Sequence, residues 1–160
     1  MNKVIVVCGP TASGKTQFAH LLAKKNNGEI VNADSMQLYK SLPIITSSPS
    51  PKLRNELPYH LYNFLDINYE CSVAKYAQLA AEKIKEISTR RKLPILVGGS
   101  GMYINSLIKG FSYIPDIEPE VRTEVRSLQR SLGSNEFFEL LKKSDPEIAK
   151  VLNIQDSQRL

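Results

Sequence analysis

The sequence predicts an α/β protein whose parallel sheet carries helices on both faces. Short apolar runs rich in β-branched residues alternate with longer segments of helical periodicity, and a glycine-rich turn joins the first run to the first helix. Parallel strands need crossover connections, which helices of this length supply. We therefore expect a binding site beyond the carboxyl ends of the strands.

The strands are predicted at three short runs rich in Val, Ile and Leu, residues 3–8, 29–33 and 94–97. Cys8 ends the first run, where we expect a small buried side chain. A helix is predicted over 15–26 from the spacing of Phe18, Leu21 and Leu22.

A second helix is predicted over 72–89, with Ser72 as its N-cap. Its apolar stripe comprises Val73, Tyr76, Ala77, Ala80, Ile84 and Ile87. Residues 40–58 are rich in Pro and Ser and are predicted to form a surface loop. Further helices are predicted over 118–131, 135–143 and 146–152, so we place a phosphate-binding core at 1–115 and the start of a helical subdomain at 116–160.

Composition excludes several classes of protein. The 160 residues suffice for one ordinary core, and no apolar run is long enough for a membrane span or a signal peptide. We therefore expect a cytoplasmic protein without membrane contact, and a monomer. Cys8 and Cys71 cannot form a disulfide framework, and His20 and His60 lack metal-ligand spacing.

The charge is divided unevenly along the chain. Residues 1–110 hold 14 Lys/Arg and 7 Asp/Glu, a net charge of +7, whereas residues 111–160 hold 7 and 9, a net charge of −2. A basic first part favours a polyanionic partner only weakly, because many solvated surfaces carry a similar excess.

A phosphate-binding P-loop lies between the first strand and the first helix. Its sequence is Gly9-Pro10-Thr11-Ala12-Ser13-Gly14-Lys15-Thr16. Glycines let backbone N–H groups turn toward phosphate oxygens, and the helix N-terminus adds partial positive charge. Lys15 would form an ion pair with the terminal phosphate, and the Thr16 hydroxyl would ligate Mg²⁺. The motif in this context predicts a P-loop NTPase-like fold; the alternative is a strand-to-helix turn that binds nothing.

The acidic residue usual in P-loop NTPases is missing from its ordinary place. The strand at 94–97 ends in Gly98-Gly99-Ser100-Gly101, which counts against a motor or switch ATPase. A carboxylate follows the second strand instead, at Asp34. On position alone Asp34 is equally suited to metal or proton chemistry and to capping a helical turn. Gln37 is either a solvated turn residue or a partner for an adenine edge.

Three segments together resemble the signatures of the tRNA dimethylallyltransferase family. They are the P-loop at 9–16, Asp-Ser-Met-Gln-Leu-Tyr at 34–39 and Leu-Val-Gly-Gly-Ser-Gly-Met-Tyr at 96–103. Shorter matches follow in family order at 58–61, 120–122 and 156–160. The resemblance implies transfer of a dimethylallyl group from dimethylallyl diphosphate to the exocyclic amine of the adenosine 3′ of the anticodon in tRNA, with release of pyrophosphate.

The resemblance also implies roles for individual residues. The P-loop and Mg²⁺ would hold the diphosphate leaving group, with Lys15 acting where charge develops. Asp34 would accept the proton of the amine, and Ser100, where the family usually has Thr, would bond the base or the departing oxygen. The tRNA anticodon loop would be contacted by Asp34, Ser35, Met36, Gln37, Ser100, Arg122, Gln158, Arg159 and Leu160.

Each of these assignments has a structural alternative. Ser100 is also suited to a turn among glycines, and Arg122 to a solvated helix face. Tyr39 and Tyr103 are suited to stacking on bases, but core packing is the expected role for both.

The chain departs from the family pattern in three respects. Thr46-Ser47-Ser48-Pro49 stands where the family usually has Thr-Ala-Lys-Pro, so one basic contact is absent, and Gln155 stands where Asn is typical. Family members are also about twice as long, so we interpret the chain as a truncated or split enzyme. A small-molecule P-loop kinase and a non-catalytic binding remnant remain alternatives.

Overall fold

The protein is described here by a computed structural model, which covers residues 3–110, 117–157 and 159. The chain forms two compact units, Met1–Ser112 and Tyr113–Leu160. The predicted boundary at residue 115 lies outside the described residues and stays a prediction.

A four-stranded parallel sheet forms the centre of the first unit. Its strands are β1 (Ile5–Cys8), β2 (Gly28–Asn32), β3 (Tyr59–His60) and β4 (Leu93–Gly98), in the spatial order β1-β4-β2-β3. Residue Val97 of β4 is in register with Val7 of β1 and with Asn32 of β2. The carboxyl ends of these three strands therefore lie side by side, as the sequence predicted.

Helices connect the strands and continue into the second unit. The first unit contains α1 (Lys15–Lys25), a 3₁₀ turn (Met36–Leu38), α2 (Pro51–Glu56), α3 (Val73–Thr89) and α4 (Gly101–Lys109). The second unit contains α5 (Pro119–Ser144) and α6 (Pro146–Ala149).

Successive side chains of the two central strands point to opposite faces of the sheet and are buried under the helices on each face. Ile30 and Ile95 pack with the helix α1, whereas Val31 and Leu96 pack with the helices α3 and α4. Helices therefore cover both faces, which confirms the predicted α/β architecture. Ser72 caps α3 by accepting a hydrogen bond from the N–H of Lys75 (3.1 Å), also as predicted.

The helix predicted over 15–26 is present, but which of its residues are buried was not predicted, and the predicted burial of Cys8 is wrong. Helix α1 turns Ala19 and Ala23 toward the sheet, while the side chains of Phe18 and Leu21 are 60% and 68% exposed. Small residues let the helix approach the strands closely, which the spacing of large apolar residues did not indicate. Cys8 is exposed as well, because it ends a strand that pairs only with β4 in the described part of the chain.

The segment predicted as a loop over 40–58 also needs correction, since it contains α2. Ser50 accepts a hydrogen bond from the N–H of Leu53 (3.4 Å), and Pro51 occupies the first helical position. The Ser-Pro pair that suggested a loop is an N-cap followed by the residue type favoured at helix starts. The two-residue strand β3, which follows this helix, was not predicted.

The second unit is helical in its described residues. Gly133 has φ 76° and ψ 170° within α5, so the continuous span is two helices separated at that glycine, close to the predicted break between 131 and 135. The helix α6 is shorter than predicted, and its N-cap is Asp145, whose Oδ1 accepts a hydrogen bond from the N–H of Ile148 (3.0 Å). Across both units, none of the described helices has the length and apolar character needed to cross a bilayer.

A buried carboxylate joins four elements at the end of the sheet opposite the P-loop. Glu29 on β2 accepts hydrogen bonds from His60 Nε2 (2.6 Å) and Arg90 (2.8 Å), and it forms an ion pair with Lys92 (3.3 Å). Burial raises the pKa of Glu29, but the three donors outweigh it and hold the pKa below its ordinary value of 4.5. The carboxylate therefore stabilises the fold in its charged form.

We expect Glu29→Gln to lower the free energy of unfolding by about 2–4 kcal/mol at pH 7, since a neutral amide loses the charge-assisted bonds. A lowered pKa makes this stabilisation complete above about pH 4.5 and progressively lost at lower pH. Urea unfolding of both proteins at pH 7 and at pH 3 should show the difference shrinking in acid. Glu70→Gln, at an exposed position, is the control and should change little at either pH. A deficit that is equal at both pH values would contradict this account.

A candidate phosphate-binding site at the carboxyl ends of the strands

A cavity of about 650 Å³ lies beyond the carboxyl ends of β2 and β4. The P-loop residues 11–16 line one side, and Asp34 and Gln37 line the same cavity. Its remaining lining residues are Gln17, Met36, Ile45, Thr46, Ser47, Tyr62, Val97 and Gly98. The structure thus brings together the P-loop and the carboxylate that the sequence placed at this edge.

The P-loop has a backbone suited to anion binding. Gly14 adopts φ 80° immediately before α1, and Ala12 has φ 62°, so the chain reverses sharply into the helix. No side chain caps the N-terminus of α1, and its first turn holds no acidic residue. The first N–H groups of the helix therefore face the loop with their partial positive charge.

Two side chains of the P-loop bond its own backbone. Ser13 Oγ donates a hydrogen bond to the Pro10 carbonyl oxygen (2.8 Å), and Lys15 Nζ donates to the same oxygen. The Lys15 ammonium is therefore folded back over the loop. Gly9 and Pro10 belong to the predicted motif, but they do not line the cavity.

Asp34 caps the 3₁₀ turn with one carboxylate oxygen, and its side chain also lines the cavity. Its Oδ1 accepts a hydrogen bond from the N–H of Met36 (3.0 Å), which starts the 3₁₀ turn. Its Oδ2 has no hydrogen-bond donor among residues 3–110. One oxygen therefore holds the turn while the other is available to a ligand.

Asn32, which sequence reasoning missed, fixes the backbone of Asp34. Its Oδ1 accepts from the N–H of Asp34 (2.8 Å), and its Nδ2 donates to the carbonyl oxygens of Asp34 (2.9 Å) and Leu61 (3.0 Å). The side chain is fully buried, and the hydroxyl of Tyr76 donates to its carbonyl oxygen (2.8 Å). An amide at the end of a strand predicted to be central was the available indication, because a buried polar group needs partners.

Ser100 holds the same turn from the β4 side. Its hydroxyl accepts from the N–H of Ser35 (3.0 Å) and donates to Ser35 Oγ (3.3 Å). Ser100 is not among the residues that line the cavity. Its contacts are those of a residue that positions the Asp34 turn, and a direct contact with substrate stays a prediction.

Gly98 allows the two strand ends to meet. A Cβ at this position would lie 2.1 Å from the carbonyl carbon and oxygen of Ala33 and 2.7 Å from the nitrogen of Asp34. These are backbone atoms that cannot move aside as a flexible side chain would. The glycine is therefore required by close packing, which its place in a glycine-rich motif did not reveal.

Gln37 joins the 3₁₀ turn to the loop that precedes α2. Its Nε2 donates to the carbonyl oxygen of Thr46 (2.8 Å), so the amide that was a candidate for adenine pairing is engaged within the protein. This loop supplies Ile45, Thr46 and Ser47 to the cavity, and none of them was predicted as a site residue.

Tyr62 also lines the cavity and was not predicted. Burial raises the pKa of its phenol strongly, with smaller contributions from Tyr59 and Asp34, so Tyr62 is a neutral donor at physiological pH. Tyr103 is buried and stacks on Tyr76 at 3.8 Å, and Tyr39 packs against the same core, which confirms the expected packing role of both tyrosines.

The second unit holds the other predicted contact residues. Arg122 is exposed on α5 and lines a groove with Arg126, Gln129 and Ser157, and the Gln129 amide donates to the Ser157 carbonyl oxygen (2.9 Å). Arg159 is exposed and pairs with Asp156 (3.4 Å). Gln158 and Leu160 lie outside the described residues. Arg122 therefore lines the same groove as Ser157, which immediately precedes the predicted contact segment 158–160.

The parallel sheet, the P-loop and the cavity together define a P-loop protein of the NTPase-like class. The profile of the IPP transferase family matches residues 37–160. The chain belongs to this family.

Similar proteins agree with that assignment. The tRNA dimethylallyltransferase of Rickettsia canadensis (strain McKiel) is 54% identical over 99% of the chain and 49% of its own length. That of Rickettsia bellii (strain OSU 85-389) is 52% identical over 99% of the chain and 50% of its own length. The chain thus spans about half the length of the curated relatives it matches.

Solved structures show the same fold. The chain matches a eukaryotic dimethylallyltransferase acting on tRNA with a TM-score of 0.82 and 32% identity, over 99% of this chain and 40% of that one. It matches the tRNA isopentenylpyrophosphate transferase of Bacillus halodurans with a TM-score of 0.69 and 34% identity, over 99% and 53% respectively.

We expect Gly98→Ala to destabilise the first unit by at least about 3 kcal/mol, since a methyl group cannot fit against the Ala33 backbone without parting β2 from β4. Gly101→Ala is the matched control, because it lies three residues later and begins a helix. Apart from its chain neighbours and the backbone of its own helix, no atom lies within 4 Å of the place that its new methyl group would take. Its stability should change by less than about 1 kcal/mol. Urea unfolding of the two variants checks this, and equal midpoints would contradict it.

Proposed function

We propose that the chain binds dimethylallyl diphosphate in the cavity and transfers its dimethylallyl group to the exocyclic amine of the adenosine 3′ of the anticodon in tRNA. One observation carries the proposal: a P-loop and a carboxylate with one free oxygen line a single cavity. The names of the relatives supply the identity of the substrates. The comparisons do not favour the kinase or the non-catalytic alternative.

The leaving group is the first requirement of this reaction. As the bond from carbon 1 of the dimethylallyl group to oxygen breaks, its electron pair stays on the diphosphate. The N–H groups at the start of α1 and the Lys15 ammonium act where this negative charge grows. For this contact Lys15 exchanges the Pro10 carbonyl for a phosphate oxygen, which is the stronger acceptor.

The nucleophile is the second requirement. The lone pair of the adenine exocyclic nitrogen forms the new bond to carbon 1, and the nitrogen must then lose a proton. The free carboxylate oxygen of Asp34 takes that proton as a general base. Asn32 and Ser100 act as positioning residues, since they hold the backbone on either side of Asp34.

The cavity also fits a magnesium ion. Thr16 offers a hydroxyl at the cavity, and the oxygens of the bound diphosphate would supply further ligands. Mg²⁺ prefers such oxygen ligands and is commonly held by one or two protein groups together with substrate phosphates. Consistent with that pattern, the described residues contain no cluster of three or more His, Cys, Asp or Glu side chains suited to a metal. When bound, Mg²⁺ would supply further positive charge to the diphosphate.

The tRNA would be recognised by both units. Met36 and Gln37 line the cavity with Asp34, and Ser35 lies between Asp34 and Met36 in the sequence, whereas Arg122 and Arg159 are exposed in the second unit. Gln158 and Leu160, which lie outside the described residues, are proposed contacts from the family match alone. Exposed arginines suit contacts with the phosphate backbone. A base from an anticodon loop must be unstacked to reach such a cavity.

A single-turnover assay tests the proposal directly. The purified chain is mixed with Mg²⁺, radiolabelled dimethylallyl diphosphate and unmodified tRNA, and we expect label on the anticodon-loop adenosine. Diphosphate binding without label on tRNA would contradict the proposal that these 160 residues carry out the transfer. Absence of diphosphate binding would contradict the proposal altogether.

Lys15→Ala should lower the affinity for inorganic pyrophosphate at least about tenfold, because a charge-assisted bond to phosphate is lost. Lys25→Ala removes the same charge from the exposed last turn of α1 and should leave the affinity unchanged. Isothermal titration calorimetry with pyrophosphate measures both. An equal loss in the two variants would show that only net charge matters.

Asp34→Asn should reduce the single-turnover rate at least about 100-fold while pyrophosphate affinity is kept, because an amide keeps the bond to the Met36 N–H but cannot accept the proton. Asp66→Asn is the matched control, since Asp66 makes the same type of turn with the N–H of Asn68 (3.1 Å) at an exposed position away from the cavity. Its rate should equal that of the wild type. Unchanged turnover in Asp34→Asn would exclude Asp34 as the base.

A further inference from the structure

Two adjacent isoleucines are almost fully exposed on the loop that joins the 3₁₀ turn to α2. The side chains of Ile44 and Ile45 are 91% and 82% exposed, the highest values among the large apolar residues of the described chain. Ile45 lines the cavity with the P-loop, whereas Ile44 does not. An exposed aliphatic side chain at the rim of a cavity offers apolar surface whose burial by a bound hydrocarbon group would be favourable.

The loop is fixed by a dense set of hydrogen bonds around these residues. The N–H and Oγ1 of Thr46 both donate to the Leu42 carbonyl oxygen (3.1 and 2.7 Å), and the N–H of Ser48 donates to the Pro43 carbonyl oxygen (2.9 Å). Ser48 Oγ donates to Asn63 Oδ1 (2.9 Å), which anchors the loop to the segment after β3.

The cavity wall anchors the loop as well. Gln37 Nε2 donates to the Thr46 carbonyl oxygen (2.8 Å), directly after Ile45. The backbone then turns through Ser47, whose φ is 53°. Ile45 is therefore presented to the cavity by a preorganised loop, and presenting it requires no ordering on binding.

The cavity has a polar and an apolar part. The P-loop supplies backbone N–H groups, hydroxyls and the Lys15 ammonium, whereas Ile45, Met36 and Val97 supply apolar surface. Met36, like Ile45, is well exposed, at 51%. A ligand that fits both parts has a phosphorylated end and a short hydrocarbon end.

We propose that Ile45 determines specificity for the donor by contacting its prenyl group while the P-loop holds the diphosphate. This inference rests on the proposed function, and it assigns a role to a residue that neither the motif nor the P-loop chemistry includes. The P-loop alone binds pyrophosphate and a prenyl diphosphate through the same phosphate oxygens. A contact with the hydrocarbon is what allows the site to prefer the substrate over its own product.

The test compares two ligands and two neighbouring residues. Ile45→Ser and Ile44→Ser are each titrated calorimetrically with dimethylallyl diphosphate and with inorganic pyrophosphate in the presence of Mg²⁺. Ile45→Ser should weaken binding of dimethylallyl diphosphate about fivefold, because part of one aliphatic contact is lost, and leave pyrophosphate binding unchanged. Ile44→Ser should change neither affinity, and Ile45→Leu should bind both ligands as the wild type does.

Each other outcome contradicts a different statement. If Lys15-dependent binding of both ligands persists but Ile45→Ser binds dimethylallyl diphosphate normally, the role of Ile45 is refuted and the proposed function stands. If Ile45→Ser weakens both ligands equally, or Ile44→Ser matches it, the loop acts on folding or diphosphate binding and the prenyl contact is refuted. If neither ligand binds to the wild type, the proposed function fails and this inference fails with it. Both substituted side chains are exposed, so the thermal unfolding midpoints should remain those of the wild type.

Discussion

The close approach of β2 and β4 at their carboxyl ends determines the geometry of the whole site. The N–H of Ala33 donates to the Val97 carbonyl oxygen (2.7 Å), and the N–H of Ser100 donates to the Ala33 carbonyl oxygen (3.1 Å). The two segments that follow β2 and β4 therefore stay hydrogen-bonded beyond the ends of the strands. Gly98 makes this possible because any side chain there would overlap the Ala33 backbone. Since β1 pairs with the other edge of β4, the same contact brings the Asp34 turn and the P-loop to one cavity.

Much of the fold was predictable because its central elements follow simple patterns. The strands at 28–32 and 93–98 are buried along almost their whole length, and their Ile, Val and Leu residues give the pattern of parallel strands covered on both sides. Burial on α1 was not predictable from the same reasoning, since Ala19 and Ala23 pack closely through their small size, whereas Phe18 and Leu21 are exposed. The strand β3 escaped prediction because two residues carry no periodicity.

The site residues were predictable where a residue type in a known motif indicates the chemistry. The hydrogen bonds that individual side-chain atoms make were not predictable. The P-loop and Asp34 were found from their sequence and their position after strands. Whether Asp34 caps a turn or faces a ligand could not be decided, because both uses suit a carboxylate. The structure shows that one oxygen makes the capping bond and that the other has no donor among residues 3–110. The bonds of Gln37 and Ser100 within the protein, and the part of Ile45 in the cavity, depend on loop geometry that no local pattern encodes.

The distribution of the site along the chain separates two steps of the proposed reaction. Every described residue that lines the cavity lies between Thr11 and Gly98, within the first unit, so the proposed diphosphate site is built from the sheet and its loops. The exposed arginines proposed for tRNA belong to the second unit, and the curated relatives continue for about as many residues again. Diphosphate affinity and transfer to tRNA therefore report on different parts of the protein. A loss of transfer with intact affinity points to Asp34 or to the tRNA-binding surface, whereas a loss of affinity points to the P-loop and the strand ends that hold it.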